Sequence, residues 1–534
     1  MTQAAGWAPG PVTLHRKRFF LGALLATVLS GLLWALVGTA PAQVAFGLGL
    51  ALPGAGFWPW IFDDGGALCL GAPAWISYLF AAILTHLLFF GALVFWFAAG
   101  NVILPPLTWA GSAAIAGLTA PDLAMVRPLV LLMPIAVWLL VFVLALVTRP
   151  RPLPPVLPFP AVARDFPKEI PDGIATRGLM RFTLDRALQP IDAFDGFQFV
   201  DQFQTAATRY QITQAGFALA LARAHSRDPN ECATLDRAMR NLIRKQTDHR
   251  IWRYWQWENA WGNFDLNANP VARDNIMYSG FLAAQIAVYA RVSGDTQFDA
   301  PNAIGLRTPR GDRFDTHQSG LIEALYRGWD NAPFGLMPCE PNWVYPLCNA
   351  IGACAAQSHD SPGWLARKDR FRHHLETEFR EADRLIVPFR SSHTGLAGPR
   401  IGGAVVTAYP VLFWNGLFPD LAAELWGRVR DKTIQGGQLR KRMFWKVDTG
   451  DYRFSRAASF AGFAAAAAEM GDAQARDLAL EALDMECHAD GPVWHRPNAS
   501  TFAHFTEAMA RLNPGGGFAR LFAPIDNTPS DQAG

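Results

Sequence analysis

Residues 338–349 read Pro-Cys-Glu-Pro-Asn-Trp-Val-Tyr-Pro-Leu-Cys-Asn, and so bring two thiols, Cys339 and Cys348, the carboxylate Glu340 and the aromatic rings of Trp343 and Tyr345 onto one short segment. Pro338, Pro341 and Pro346 fix the backbone dihedral at three points, so the segment reads as a rigid loop able to line a cavity. A thiol of ordinary pKa ~8.5 is mostly protonated at neutral pH and gives a proton, whereas a nearby charge turns it into a thiolate that accepts one. Two thiols and a carboxylate in one pocket are therefore an acid–base set, and the rings offer their faces to a cation. The competing reading is packing, because cysteine is among the residues most often fully buried and inert.

Three further stretches mix polar and aromatic groups where a plain helical core would be aliphatic. They are Asp201-Gln202-Phe203-Gln204-Thr205 with Arg209-Tyr210, the aromatic run from Trp252 to Trp261, and Asp274-Asn275-Ile276-Met277-Tyr278. Asp201 reads either as an acid or as a helix cap or buried ion-pair partner. Trp252, Trp255 and Trp257, with Glu258 and Asp265, read either as helix packing or as the aromatic platform and paired carboxylates of a carbohydrate-active enzyme. The six cysteines (Cys69, Cys232, Cys339, Cys348, Cys354, Cys487) include no CxxC pair, so neither a structural zinc site nor a disulfide framework is expected. Beyond Arg127 there are 43 basic against 42 acidic residues, which leaves no basic footprint for nucleic acid.

The elements that must hold these groups are helical. Phe217, Leu221 and Ala224 fall on one stripe, as do Met277, Phe281, Ala284 and Val288. Ala457 to Met470 and Asp472 to Leu483 are Ala-rich runs separated by Gly471, a helix stop followed by a new start. Alternating β-type runs are scarce, and this part of the chain suits about six helical hairpins of about 55 to 60 residues each. It is preceded by six prolines between Pro150 and Pro160, a semi-rigid spacer.

The N-terminal third differs sharply, since between Phe19 and Val126 the only acidic or basic side chains are Asp63, Asp64 and Asp122. Phe19 to Val37, Trp75 to Phe97, Val102 to Leu118 and Leu129 to Val147 are uncharged runs read as four membrane spans, with Val44 to Trp60 interfacial or re-entrant. A cleavable signal peptide ending at Ala40-Pro41-Ala42 is the alternative for the first run. The expected organisation is a basic tail at 1–18, a transmembrane bundle at 19–148, a linker at 149–168 and an all-α domain at 169–534. Four spans with Arg16, Lys17 and Arg18 before the first and Arg149 and Arg151 after the last predict a multi-pass inner-membrane protein with its large domain in the cytoplasm.

Asn275-Ile276-Met277-Tyr278-Ser279-Gly280-Phe281-Leu282, followed by Cys339-Glu340-Pro341 and a second cysteine nine residues after the first, resembles the linalool dehydratase/isomerase family over roughly residues 190 to 425. The resemblance implies an (α/α)6 barrel with the pocket at its mouth, a ring-shaped homo-oligomer, and acid–base action on a tertiary or allylic terpene alcohol without metal or organic cofactor. It places Cys339, Glu340 and Cys348 at the family's loop positions, Met277 at its helix position, and Asp201 at the aspartate of its first inner helix. The family's histidine four residues after the methionine is Phe281 here, and a later tyrosine falls near Val405. The expected function is a membrane-anchored dehydratase, hydratase or isomerase of an isoprenoid-like alcohol or alkene. Cys339, Cys348, Glu340 and Asp201 are its catalytic groups, and Met277, Tyr278, Phe281, Trp343 and Tyr345 contact an apolar substrate drawn from the lipid bilayer. The alternatives are a carbohydrate-active (α/α)6 enzyme and a non-catalytic binding module.

Overall fold

The computed structural model describes residues 11–62, 72–147 except 100, 102 and 122–127, 156–197 except 163 and 172, and 207–524 except 382, 394, 396, 399, 401 and 449–452. Its N-terminal part is built from α1 (Pro11–Val37), α2 (Pro41–Ala51), α3 (Ala72–Ala99), α4 (Leu104–Leu118) and α5 (Pro128–Val147). Small residues let α1 and α2 cross closely: a Cβ on Gly31 would meet the backbone of Gly47 and Ala51 at 2.7 Å. α2 and the turns after it are buried through Val44, Ala45, Leu48, Phe57 and Trp60, so the segment from Val44 to Trp60 lies inside the N-terminal cluster. The indole N–H groups of Trp109 and Trp138 donate to Gly49 O and Ala51 O, each at 3.0 Å, satisfying carbonyls at the end of α2.

Among the described residues one helix, Ala74–Trp96, is long and apolar enough to cross a membrane, and little of it is buried by the rest of the chain. α4 has 15 residues and at about 1.5 Å per residue falls short of a ~30 Å hydrocarbon core. The described apolar stretches Leu21–Val37 and Leu132–Val141 are shorter than a full span. Of the four spans expected, the one at Trp75 to Phe97 is matched among the described residues by a helix of sufficient length and apolar composition.

The larger part is helical, with three short antiparallel strand pairs among the described residues. Its main helices are α6 (Ile174–Ala187), α7 (Thr208–His225), α8 (Pro229–Gln246), α9 (Tyr254–Gly262), α10 (Ile276–Ser293), α11 (Gln318–Asn331), α12 (Pro346–His359), α13 (Ser361–Glu378), α14 (Val411–Leu417), α15 (Pro419–Thr433), α16 (Ala457–Glu469), α17 (Ala473–Glu486) and α18 (Thr501–Leu512). α7 packs on α10, α10 on α12, α12 on α14, α14 on α16, α16 on α18, and α18 on α7 again. α8, α11, α13, α15, α17 and α6 lie against this circuit.

Sequence decides which helices go inside. α10 is buried without interruption from Ile276 to Tyr289, and α16 over its whole length, where Ala allows neighbours to approach from all sides. α8 buries one face through Leu235, Ala238, Met239 and Leu242, the spacing of an amphipathic outer helix. The expected stop at Gly471 is present: its φ is 71°, and Asp472 caps α17 by accepting from Ala475 N.

Candidate active site

The loop that carries the thiols is shaped by its own sequence. Glu340, Pro341, Asn342 and Trp343 form a tight turn closed by Trp343 N donating to Glu340 O at 3.0 Å. Proline at the second position and Asn342 at the third, with φ 77°, is the type II pattern. Cys339 N then donates to Trp343 O at 2.8 Å, and Trp343–Val344 pairs with Arg390–Ser391, whose Ser391 hydroxyl donates to Asn342 Oδ1 at 2.6 Å. Pro346 opens α12, where its missing N–H costs nothing, and Cys348 lies in the first turn.

Asn349 locks the two ends of the loop together. Its Oδ1 accepts from Met337 N at 3.0 Å and Trp329 Nε1 at 2.8 Å, and its Nδ2 donates to Met337 O at 3.0 Å and Tyr345 O at 2.9 Å. Asn349→Leu leaves these buried partners unsatisfied. It is expected to lower unfolding stability by about 2–4 kcal/mol in denaturant melts, since each orphaned group costs about 1–3 kcal/mol. A change below about 0.5 kcal/mol, the level of an ordinary surface substitution, would mean that the loop is held elsewhere.

The outcome of this clamping is a sulfur pair. Cys339 Sγ donates to Cys348 Sγ at 2.8 Å, and both thiols are free and buried. Burial, with the Cys348 contact, pushes the Cys339 thiol well above its usual range, so it holds its proton at neutral pH. Glu340 is buried beside it and accepts from the Tyr345 hydroxyl at 3.2 Å. Burial raises this carboxyl to about 7, against the opposing pull of Arg209.

Arg209, at the start of α7, is the cation of the site. Its guanidinium lies 4.6 Å from the Tyr210 ring centre and 4.3 Å from that of Tyr254, and it donates to Met277 Sδ at 3.3 Å. The Tyr210 hydroxyl also reaches Met277 Sδ, at 3.5 Å. Burial works against the arginine's charge, and the hydrogen bond with Tyr210 and the ring faces of Tyr210 and Tyr254 support it. Glu258 lies one helical turn after Tyr254 on α9; burial first, and the facing Glu340 second, keep this carboxyl protonated well above the usual range. Its Oε2 has no hydrogen-bond partner among the described residues.

The residues expected at the site divide into groups. Cys339, Cys348, Glu340, Tyr345 and Met277 come together, and Phe281, one turn after Met277, packs on Tyr210 with ring centres 5.0 Å apart. Tyr278 turns away, its hydroxyl donating to Gln246 O at 2.9 Å. Trp343 is buried between Phe389 at 5.4 Å and Trp96 at 5.2 Å. Asp201 lies outside the described residues. Val405 is buried, and one turn along α-helical backbone Tyr409 supplies a hydroxyl, which donates to Gln214 Oε1 at 2.8 Å. Of the residues read as a carbohydrate platform, Trp252 and Trp255 are core residues, Trp257 is exposed, and Asp265 accepts from Asn267 N in a turn. Among the described residues there is no cluster of potential metal ligands. Arg209, Tyr254 and Glu258 complete the constellation; all three stood in stretches the sequence singled out, but nothing in their spacing joined them to the thiols.

The family model described as linalool dehydratase/isomerase matches residues 209–500. That range holds Arg209, Glu258, Met277, Cys339, Glu340 and Cys348, reaches past the stretch over which the resemblance was legible, and takes in more than half of the chain. This chain belongs to the linalool dehydratase/isomerase family.

Proposed function

We propose that this protein is a membrane-anchored dehydratase, hydratase or isomerase of an isoprenoid-like alcohol, working by thiol and carboxylate chemistry without a cofactor. The observation that carries the reading is the buried Cys339–Cys348 pair, 2.8 Å between sulfurs, beside a carboxyl poised near 7. In the dehydration direction the Cys339 thiol gives its proton to the departing hydroxyl as the C–O bond breaks, releasing water. Ionised Glu340 takes a proton from the adjacent carbon, and the electron pair of that C–H bond becomes the alkene. The proton then passes from Glu340 to the Cys339 sulfur, which restores both groups. Rings of Phe281, Tyr210 and Tyr345 face the cationic stage. Water added at the other end of an allylic cation gives the isomer. Asp201, which precedes the residues the family model matches, is proposed as a further acid on the sequence resemblance alone, and the circuit of α7, α10, α12, α14, α16 and α18 with its outer helices as an (α/α)6 barrel spanning 169–534.

The test is turnover of a panel of tertiary and allylic alcohols by the full chain in detergent, followed as alkene and rearranged alcohol. Failure of every member, with the fold intact, would remove the reading. Anchoring is proposed to rest on the apolar N-terminal helices, with an even number of crossings and the large domain in the cytoplasm. A reporter fused after residue 534 is accordingly expected to be active only in its cytoplasmic form; periplasmic phosphatase activity would require an odd number of crossings.

A further inference from the structure

α3 has 28 residues, about 42 Å at about 1.5 Å per residue, and so exceeds the ~30 Å thickness of a hydrocarbon core. Its last turns therefore extend into the head-group layer, where tryptophan is favoured. There it touches the larger domain twice. Phe95 packs edge-on against Trp261 of α9 at 5.5 Å, and Trp96 packs against Trp343 at 5.2 Å. The Trp343 indole N–H donates to Trp96 O at 3.1 Å, in the last turn of α3. Trp343 in turn closes the turn that begins at Glu340, so the catalytic loop is tied directly to the end of the apolar helix.

The surface beside this junction is apolar. Trp257, stacked on Trp261 at 6.3 Å, is 63% exposed, Phe264 72% and Leu266 83%, all within ten residues of chain. Phe264 has φ 54°, a conformation that a bulky L-residue adopts only at a cost. Three large apolar side chains held outward, continuous with the end of a membrane-crossing helix, match an interfacial insertion surface.

We infer that Trp257, Trp261, Phe264 and Leu266, with the end of α3, dip into the bilayer and form the entry by which an apolar alcohol passes from lipid to the thiols. The inference rests on the dehydratase reading for its substrate but not for its lipid contact, and the experiment separates them. The full chain is reconstituted in vesicles of phosphatidylcholine and phosphatidylglycerol containing a phosphatidylcholine with a diazirine in its acyl chain, irradiated and digested with trypsin. The tryptic peptide from Tyr254 to Arg273 contains all four rim residues. It is expected to carry label, and W257S/F264S/L266S to lower that labelling about tenfold or more while labelling of α3 persists. Label confined to the N-terminal helices would overturn the inference and leave the dehydratase reading standing. With labelling established, long-chain alcohols delivered in vesicles are expected to turn over about tenfold more slowly in the triple variant, a short water-soluble alcohol at the wild-type rate. Equal rates for both alcohols in both proteins would overturn the entry route.

Discussion

Cys339→Ala and Cys348→Ala are each expected to lower turnover of the substrate alcohol by about 10²–10⁴-fold, the size of effect a positioned general acid supplies. The first removes the proton donor and the second the sulfur that receives its hydrogen bond. Cys354 provides the control. It stands on the same helix, is fully buried, and donates its S–H to Phe413 O at 3.5 Å, away from Glu340. Cys354→Ala is expected to cost about 1 kcal/mol of stability, as an ordinary core truncation does, and to keep the rate. Thermal melts and rates measured together on the three variants separate chemistry from packing. Equal loss of stability with no loss of rate in all three would assign Cys339 and Cys348 to packing.

Glu340→Gln carries the second large effect and shows in the pH profile. With Glu340 ionised as the base, the rate rises as pH passes through about 7 and then levels; Glu340→Gln is expected to abolish that limb and lower the plateau by about 10²–10⁴-fold. Stability runs the other way. Burial raises the folded carboxyl from 4.5 to about 7, so between these values the folded chain holds a proton that the unfolded chain has lost. The group's contribution is therefore fully present below 4.5 and disappears as pH rises through about 7. Melts of Glu340→Gln are expected to lose this slope. A rate limb near 7 that survives in Glu340→Gln would move the base to another group, with Glu258 next in line.

The residues differ in how far their roles could be read from the chain alone. Pro341 and Asn342 write a type II turn, and Gly471 with Asp472 writes a stop and a cap, because each depends on dihedral preferences within a few residues. Cys339 and Cys348 nine positions apart are brought together by that turn and by Pro346 opening α12, which is also local. Arg209 was not assignable this way: its partners Tyr254 and Glu258 come from another helix, and packing alone decides that a cation lies between two rings. Tyr278 illustrates helical phase. Met277 and Phe281, four apart, share a face, while Tyr278 is rotated by about 100° and meets Gln246 instead. The tryptophans of Trp252 to Trp261 fail as a guide for the same reason, since a run aromatic on every face conceals which ring is core and which, like Trp257, is exposed. For Val102 to Leu118 the uncharged composition was legible but the length was not, because the helix begins only at Leu104 and stops at Leu118.

The most direct test of the account follows oxygen. The full chain is incubated with tertiary and allylic alcohols in water labelled with heavy oxygen, and alcohol and alkene are analysed by mass spectrometry. Thiol and carboxylate chemistry through a cation predicts that an accepted alcohol yields alkene and also acquires solvent oxygen, and that both signals fall together in Cys339→Ala. Alkene formation and oxygen exchange that persist undiminished in Cys339→Ala would contradict it.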